Sequence, residues 1–261
     1  MAAGGRALAC MGRGMTRTGK RALVIAHRGA SGDRPENTLP AFEEAIAQGA
    51  DMIETDLHLS RDGVVVIHHD AGLERLGGTG EIRDRTASEL AALDAAPGAA
   101  DSLQIPTLLD VLEGFAERID WNLELKVGLE APYDGIEERV LGEVEARGLL
   151  RRVIFSCFDD GVLERVRSAS REARVGVLVS PRAPQDIFGR AERVAAEAIH
   201  PHTLLINEAL VAEAHARGLA VYPYTANDPA EMSGLLDAGV DGVITNFPRV
   251  LGDLLGARGS G

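Results

Sequence analysis

Residues Ile53–Asp70 read IETDLHLSRDGVVVIHHD, and the way this stretch folds fixes the architecture around it. Its apolar runs favour β-strand, yet Glu54 and Asp56 stand two residues apart, which on a strand sends both carboxylates to one face. Two like charges converging there need a partner. A second strand, Val64–Ile67, follows Arg61, Asp62 and Gly63 too closely for a parallel crossover, which needs about a dozen residues. It is expected to return as a hairpin with Asp62 and Gly63 in the turn. It ends in His68, His69 and Asp70, which add imidazoles to the acidic neighbourhood. His68 alternates to the face opposite His69. His58 shares the face of Asp56, and either support of that carboxylate or a strand-end surface place is open to it.

Outward from this hairpin, short apolar strands alternate with amphipathic helical stretches, the pattern of parallel strands joined by helical crossovers. Strands are expected at residues 22–26, 52–57, 121–126, 152–157, 174–179, 198–201, 220–225 and 242–246. Helices are expected within 40–50, 107–119, 135–148, 209–218 and 229–239, each ending near a glycine or a polar break. Pro106 is placed to open the second of these. Eight strand–helix units indicate an α/β fold, a closed (β/α)8 TIM barrel. An open doubly wound sheet would alternate in the same way, but no G-x-G-x-x-G follows the first strand. Residues 71–106, rich in glycine and without periodicity, are expected to lie over one end as a partly ordered insertion. A single domain is expected over 22–256, between a flexible basic tail at 1–21 and a disordered tail at 257–261.

With 45% hydrophobic and 26% charged residues, the 261-residue chain has the profile of a globular protein with a substantial core. A formal net charge of -13 argues against broad binding to nucleic acid or to anionic membrane, since both repel an acidic protein. Any phosphate it handles must meet local positive charge. The two cysteines, Cys10 and Cys157, are too few and too far apart for a disulfide framework, so a reducing, cytoplasmic setting is the simpler expectation. The apolar piece ALAC near the N-terminus is too short for a signal peptide, and no run approaches the roughly 20 apolar residues of a membrane span. Stable membrane insertion is not expected, and composition leaves the oligomeric state open.

In parallel barrels the working residues sit at the C-terminal ends of the strands, where the βα loops converge on one mouth. His27 and Arg28 follow the first strand there, Glu54 and Asp56 lie within or at the end of the second, and Glu124 and Lys126 close the third with the same two-residue spacing, while His69 arrives through the hairpin. Three inward carboxylates are costly in a barrel interior unless a cation neutralises them, and oxygen ligands without thiolates favour Mg²⁺ or Ca²⁺. Ordinary ion pairs of Glu54 and Asp56 with Arg28 and Lys126 are the alternative. His27 and His69, at different strand ends, form a candidate general acid and base. His200, His202 and His215 are read as core histidines. In PENT, residues 35–38, capping of the next helix by Asn37 or Thr38 takes precedence over orientation of Arg28 or of a substrate hydroxyl by Glu36.

The segment AHRGASGDRPENTLPAFEEAIAQGADMIETDLHLSRDGVVVIHHD closely resembles the glycerophosphodiester phosphodiesterases, and the likeness continues through IPTLLDVLE, NLELK, YTANDPAEM and GVDGVITNFP. The ordered set H-R-G, P-E-N-T, E-x-D, H-D and E-L-K is highly specific, and the likeness covers about residues 22–251. It implies a TIM barrel that hydrolyses glycerophosphodiesters, small-molecule substrates, to glycerol-3-phosphate and an alcohol with a divalent metal. The family's metal ligands fall on Glu54, Asp56 and Glu124, its acid/base histidines on His27 and His69, and Arg28 and Lys126 then look like phosphate-contacting cations. The family-like scheme runs through a cyclic phosphate. Tyr224 stands where many relatives carry tryptophan and Asn246 where many carry aspartate; neither change is expected to touch the metal or acid/base set, and Tyr224 is expected to bear on how the alcohol end of the substrate is held. The competing readings are a phospholipase D-like lyase that stops at the cyclic phosphate, and a catalytically silent barrel that binds phosphodiesters or a protein.

Overall fold

The computed structural model describes Thr16 and residues 20–259. Nearly all of the basic tail expected at 1–21 lies outside the described residues, as does Cys10. The chain runs β1 (Leu23–His27), α1 (Leu39–Ala47), β2 (Met52–Leu59), β3 (Val65–Ile67), α2 (Ala87–Ala91), α3 (Leu108–Phe115), β4 (Asp120–Leu125), α4 (Ile136–Glu145), β5 (Val153–Cys157), α5 (Asp160–Ala169), β6 (Arg174–Val179), α6 (Ile187–Arg193), β7 (Ala198–Pro201), α7 (Glu208–Ala216), β8 (Ala220–Val221), α8 (Pro229–Asp237), β9 (Gly242–Thr245) and α9 (Pro248–Gly259).

The eight expected strands are all present and pair in parallel, in the order β8-β7-β6-β5-β4-β2-β1-β9. Backbone bonds from Asp241 N to Val221 O (3.0 Å) and from Ile244 N to Pro223 O (2.9 Å) join the two ends of this row and curl the sheet into a barrel. β8 keeps regular pairing only over Ala220 and Val221, shorter than the expected 220–225, because Pro223 has no N–H to give a ladder. Helices α5, α6 and α9 extend the outer ring beyond the five read from the sequence. α9 continues to Gly259, past the point where a disordered tail was expected, and its Arg258 pairs with Asp237 at 2.8 Å.

The main core lies between the strands and the helices and includes Phe42, Trp121 and Phe155. A smaller apolar cluster of Ile25, Met52, Ile154, Ala198, Ala220, Tyr222 and Ile244 fills the barrel itself. Ile25 and Met52 precede His27 and Glu54 by two residues, so this cluster forms the layer under the mouth. Fully apolar packing stops there and charged side chains begin.

β2 runs beyond the barrel and turns back as the expected hairpin, with Leu57 opposite Ile67 and Leu59 opposite Val65. Residues 71–106 are more ordered than expected. Two short 3-10 turns and α2, closed by a capping box of Thr86 and Glu89, bury Leu73, Leu76, Ile82, Leu90 and Ile105 against Val66. Apolar residues spaced irregularly along a loop build this cluster, so no period announces it. Pro106 does not open α3: Thr107 is its N-cap, accepting from Asp110 N, and Pro106 stands just outside with its carbonyl bonded to Ile67 N at 2.8 Å.

Candidate active site

Strand register builds the site. His27 lies beside Glu54, and Asp56 beside Glu124, across parallel ladders. Because Glu54 and Asp56 share a face of β2, and Glu124 and Lys126 share a face at the end of β4, the register gathers them at one mouth. Oxygens of Glu54, Asp56 and Glu124 lie within 4.8 Å of one another, and all three residues are buried. A cavity of about 320 Å³ opens above them, lined on one side by His27, Arg28, Glu54, His69, Glu124 and Lys126. Asp56 sits beneath that surface. The structure therefore brings all seven candidate residues together.

The three carboxylates act on one another's charge. Burial pushes Glu54 well above the usual glutamate value, and Asp56 and Glu124 push it further. Burial also raises Glu124, against the pull of Lys126. For Asp56 burial acts upward too, but Lys126, Arg28, His69 and the Asn37 amide together overcome it and hold the group well below the ordinary aspartate range. Asp56 is the charged centre: Arg28 Nε stands 3.2 Å from one oxygen and Lys126 Nζ 3.2 Å from the other. Lys126 also donates to Glu124 at 2.8 Å. The ion pairs considered from sequence thus exist, but they converge on one cluster instead of dispersing the acids. Three carboxylates against two cations leave one negative charge uncompensated at full ionisation. That excess, and an oxygen-only donor set, fit a hard divalent cation. Cys157 is no rival ligand, since burial pushes its thiol up to about 12 and its Sγ bonds Leu125 O at 2.9 Å.

The turn after β1 shows why H-R-G and P-E-N-T occur together. Arg28 is left-handed at φ 56, and a Cβ on Gly29 would lie 2.6 Å from the backbone carbon of Ala41. Only glycine lets the turn press against α1. The Arg28 N–H donates to Glu54 at 3.1 Å, while its guanidinium donates to Glu36 at 2.9 Å. Thr38 alone caps α1. Asn37 donates to Asp56 at 2.8 Å and accepts from Thr55 at 2.7 Å, so it braces a carboxylate and caps nothing. Glu36 does orient Arg28, the role ranked second from sequence.

The two histidines differ in their partners. His27 Nδ1 is 2.7 Å from Asn246 Oδ1, an oxygen that only accepts, so the ring proton sits on Nδ1 and the Nε2 lone pair faces Glu54, 3.9 Å away. Burial, then the Arg28 charge, lowers His27 to about 4. Asn246 therefore touches a candidate acid/base residue directly, against the expectation that its change from aspartate would not. His69 Nδ1 meets the carboxylate of Asp70 at 2.7 Å, and Arg75 ties Asp70 to Glu36, each at 3.0 Å. The H-D adjacency is the sequence signal for the Asp70 brace, and no local pattern marks Arg75, which reaches it from five residues away.

The remaining histidines divide. His200 is buried and lowered to about 3 by that burial, and His215 bonds Asp241 at 2.8 Å. His202 is no core residue: its ring lines the cavity, 5.6 Å from the Tyr224 ring. His58 is fully buried, which excludes a surface place. Opposite the charged wall, Phe158, Leu178, His202, Tyr224, Thr225 and Ile244 close the cavity.

The fold and this arrangement define a (β/α)8-barrel protein with an acidic, cation-edged cavity at the strand ends. Comparison with known proteins narrows the class. A family model described as the glycerophosphoryl diester phosphodiesterase family matches residues 27–250. A glycerophosphodiester phosphodiesterase of Caldanaerobacter subterraneus subsp. tengcongensis is 34% identical over 90% of this chain and 98% of its own, and one of Bacillus subtilis is 31% identical over 87% and 84%. A phosphodiesterase structure from Oleispira antarctica, in complex with the product sn-glycerol-3-phosphate, superposes with a TM-score of 0.79 at 31% identity, covering 93% of this chain and 100% of that one. The chain belongs to the glycerophosphodiester phosphodiesterase family.

Proposed function

We propose that this protein hydrolyses glycerophosphodiesters to glycerol-3-phosphate and an alcohol, using His27 and His69 as base and acid across a phosphate held by Arg28 and Lys126. The observation that carries this reading is the meeting of two imidazoles and three buried carboxylates around one cavity. Glu54, Asp56 and Glu124 would hold one Mg²⁺ or Ca²⁺, which supplies positive charge against the phosphate oxygens as negative charge grows on them.

The side chains divide the remaining work. His27, held with its proton on Nδ1, offers Nε2 to the glycerol hydroxyl next to the phosphate ester. That oxygen attacks phosphorus as its proton passes to Nε2, so the nucleophile is already in place and no second molecule need be ordered. The bond from phosphorus to the alcohol oxygen breaks, and His69, its ring held through Nδ1 by the Asp70 carboxylate, gives a proton to the departing alkoxide. Water then opens the cyclic phosphate with the two roles reversed, returning both rings to their starting states. The catalytic unit is one barrel over 22–256. No helix among the described residues is long and apolar enough to cross a membrane.

Incubation with glycerophosphocholine and Mg²⁺ or Ca²⁺ should release glycerol-3-phosphate, and excess chelator should stop it. No release with either cation would exclude the reading, and a persistent cyclic product in phosphorus NMR would replace the hydrolase with a lyase. Glu54 and Glu124 are raised, so without metal they retain protons above pH 4.5 that a cation must displace. Apparent metal affinity should therefore increase as pH climbs from 4.5, with proton release seen as buffer-dependent heat in titration calorimetry.

A further inference from the structure

β3 ends at Ile67, so no regular ladder holds His69. A different contact reaches its backbone. His58, on the part of β2 that projects beyond the barrel, places Nε2 3.2 Å from the carbonyl oxygen of His69 and Nδ1 2.7 Å from the Tyr133 hydroxyl. A carbonyl only accepts, so Nε2 carries the proton, and Nδ1 must then accept from Tyr133. Both ring nitrogens of a fully buried imidazole are committed in one tautomer. Tyr133 is fixed in turn: its ring stands edge-on to His58 at 5.5 Å, and the Arg83 guanidinium lies 4.5 Å from its centre. Arg83 also donates to Ala131 O. Three segments distant in sequence meet here: the hairpin, the loop after β4 and the 71–106 insertion.

We propose that His58 is a positioning residue for the reaction: with Tyr133 it clamps the peptide of His69, so that the His69 ring, turned by Asp70, faces the leaving oxygen. This rests on the reading of His69 as the general acid. Neither His58 nor Tyr133 lines the cavity, and the effect of both runs through the His69 carbonyl. The insertion acquires a task on the same grounds, since Arg83 braces the clamp from outside.

The test uses leaving groups. An acidic alcohol departs without protonation, so a defect confined to the general acid should appear with glycerophosphocholine and nearly vanish with the 4-nitrophenyl ester of glycerophosphate. His58→Leu should lower kcat for glycerophosphocholine by about 10–100-fold, part of the full general-acid contribution, with KM within about twofold and the nitrophenyl ester within about threefold of wild type. His58→Gln, whose amide can still donate to the carbonyl, should recover most of the loss. Equal losses on both esters would mean a general structural defect and overturn the proposal, as would wild-type kcat in a folded His58→Leu protein. Should His58→Leu not fold, Tyr133→Phe removes only the hydroxyl and decides: it should show a loss of about 3–10-fold with the same leaving-group pattern, and no such pattern refutes the clamp. His69→Ala serves as the reference. If it lacks leaving-group dependence, the acid assignment itself fails, a result distinct from failure of His58 alone.

Discussion

The two walls of the cavity are built on opposite principles. The wall from β1, β2 and β4 carries His27, Arg28, Glu54, Glu124 and Lys126, every one tied to a charged or polar neighbour. The wall beyond β5 to β9 is mostly apolar: it carries Phe158, Leu178, Tyr224 and Ile244 together with His202 and Thr225, and Phe158 and His202 meet the Tyr224 ring edge-on. Phe158 is exposed at the rim, and the Tyr224 hydroxyl is already donated to Val179 O at 3.1 Å, so that wall offers faces more than hydrogen bonds. Charge fixed by networks suits the phosphate common to all glycerophosphodiesters. An apolar wall, which discriminates only modestly per group, suits an alcohol that varies.

Substitutions on the two walls should separate these roles. The largest effect is expected at the histidines: His27→Ala or His69→Ala should lower kcat for glycerophosphocholine by about 10³-fold, with the melting temperature and circular dichroism little changed. Near-wild-type turnover in either variant would remove that residue from the charged wall's chemistry.

A smaller effect, visible only against pH, is expected from Asn246→Asp. As the proposed base His27 must be neutral, and it is lowered to about 4, so in that role its contribution should be lost as pH falls towards that value. A carboxylate beside Nδ1 favours the charged ring and raises its pKa. The acid limb of kcat/KM should therefore move upward, with a relative loss at pH 5 and little change at pH 8. An unmoved limb would show that the Asn246 contact does not tune the base.

The smallest effect belongs to the apolar wall. Phe158→Ala should change KM by about 2–10-fold, to different extents for choline, ethanolamine and glycerol headgroups, while the pH profile keeps its shape. Equal shifts for all three would mean that this wall does not read the alcohol.

Much of the charged wall was legible from spacing. Glu54 and Asp56, and Glu124 and Lys126, are two residues apart on strands, and a parallel barrel aims strand ends at one mouth. The braces were not. Asn37 reaches Asp56 because it is left-handed at φ 58, a conformation its sequence permits but does not demand. His58 could be placed on the face of Asp56 but not given a partner, since Tyr133 arrives from a loop 75 residues away. The order in residues 71–106 is not legible locally for the same reason: its apolar residues match no period, and only contact with Val66 makes them a core.

By itself the sequence determined the alternation of strands and helices, the face each strand side chain takes, and the family motifs, because these depend on backbone periodicity acting over a few residues. Tertiary structure alone decided that Asn246 would hold His27 across a separation of 219 residues, that Asp56 would carry two cations while Glu54 is pushed towards its neutral form, and that a buried imidazole would grip the His69 peptide. Hydrogen bonds and electrostatic coupling act through distance and burial, and those are set only once the register of distant segments is closed.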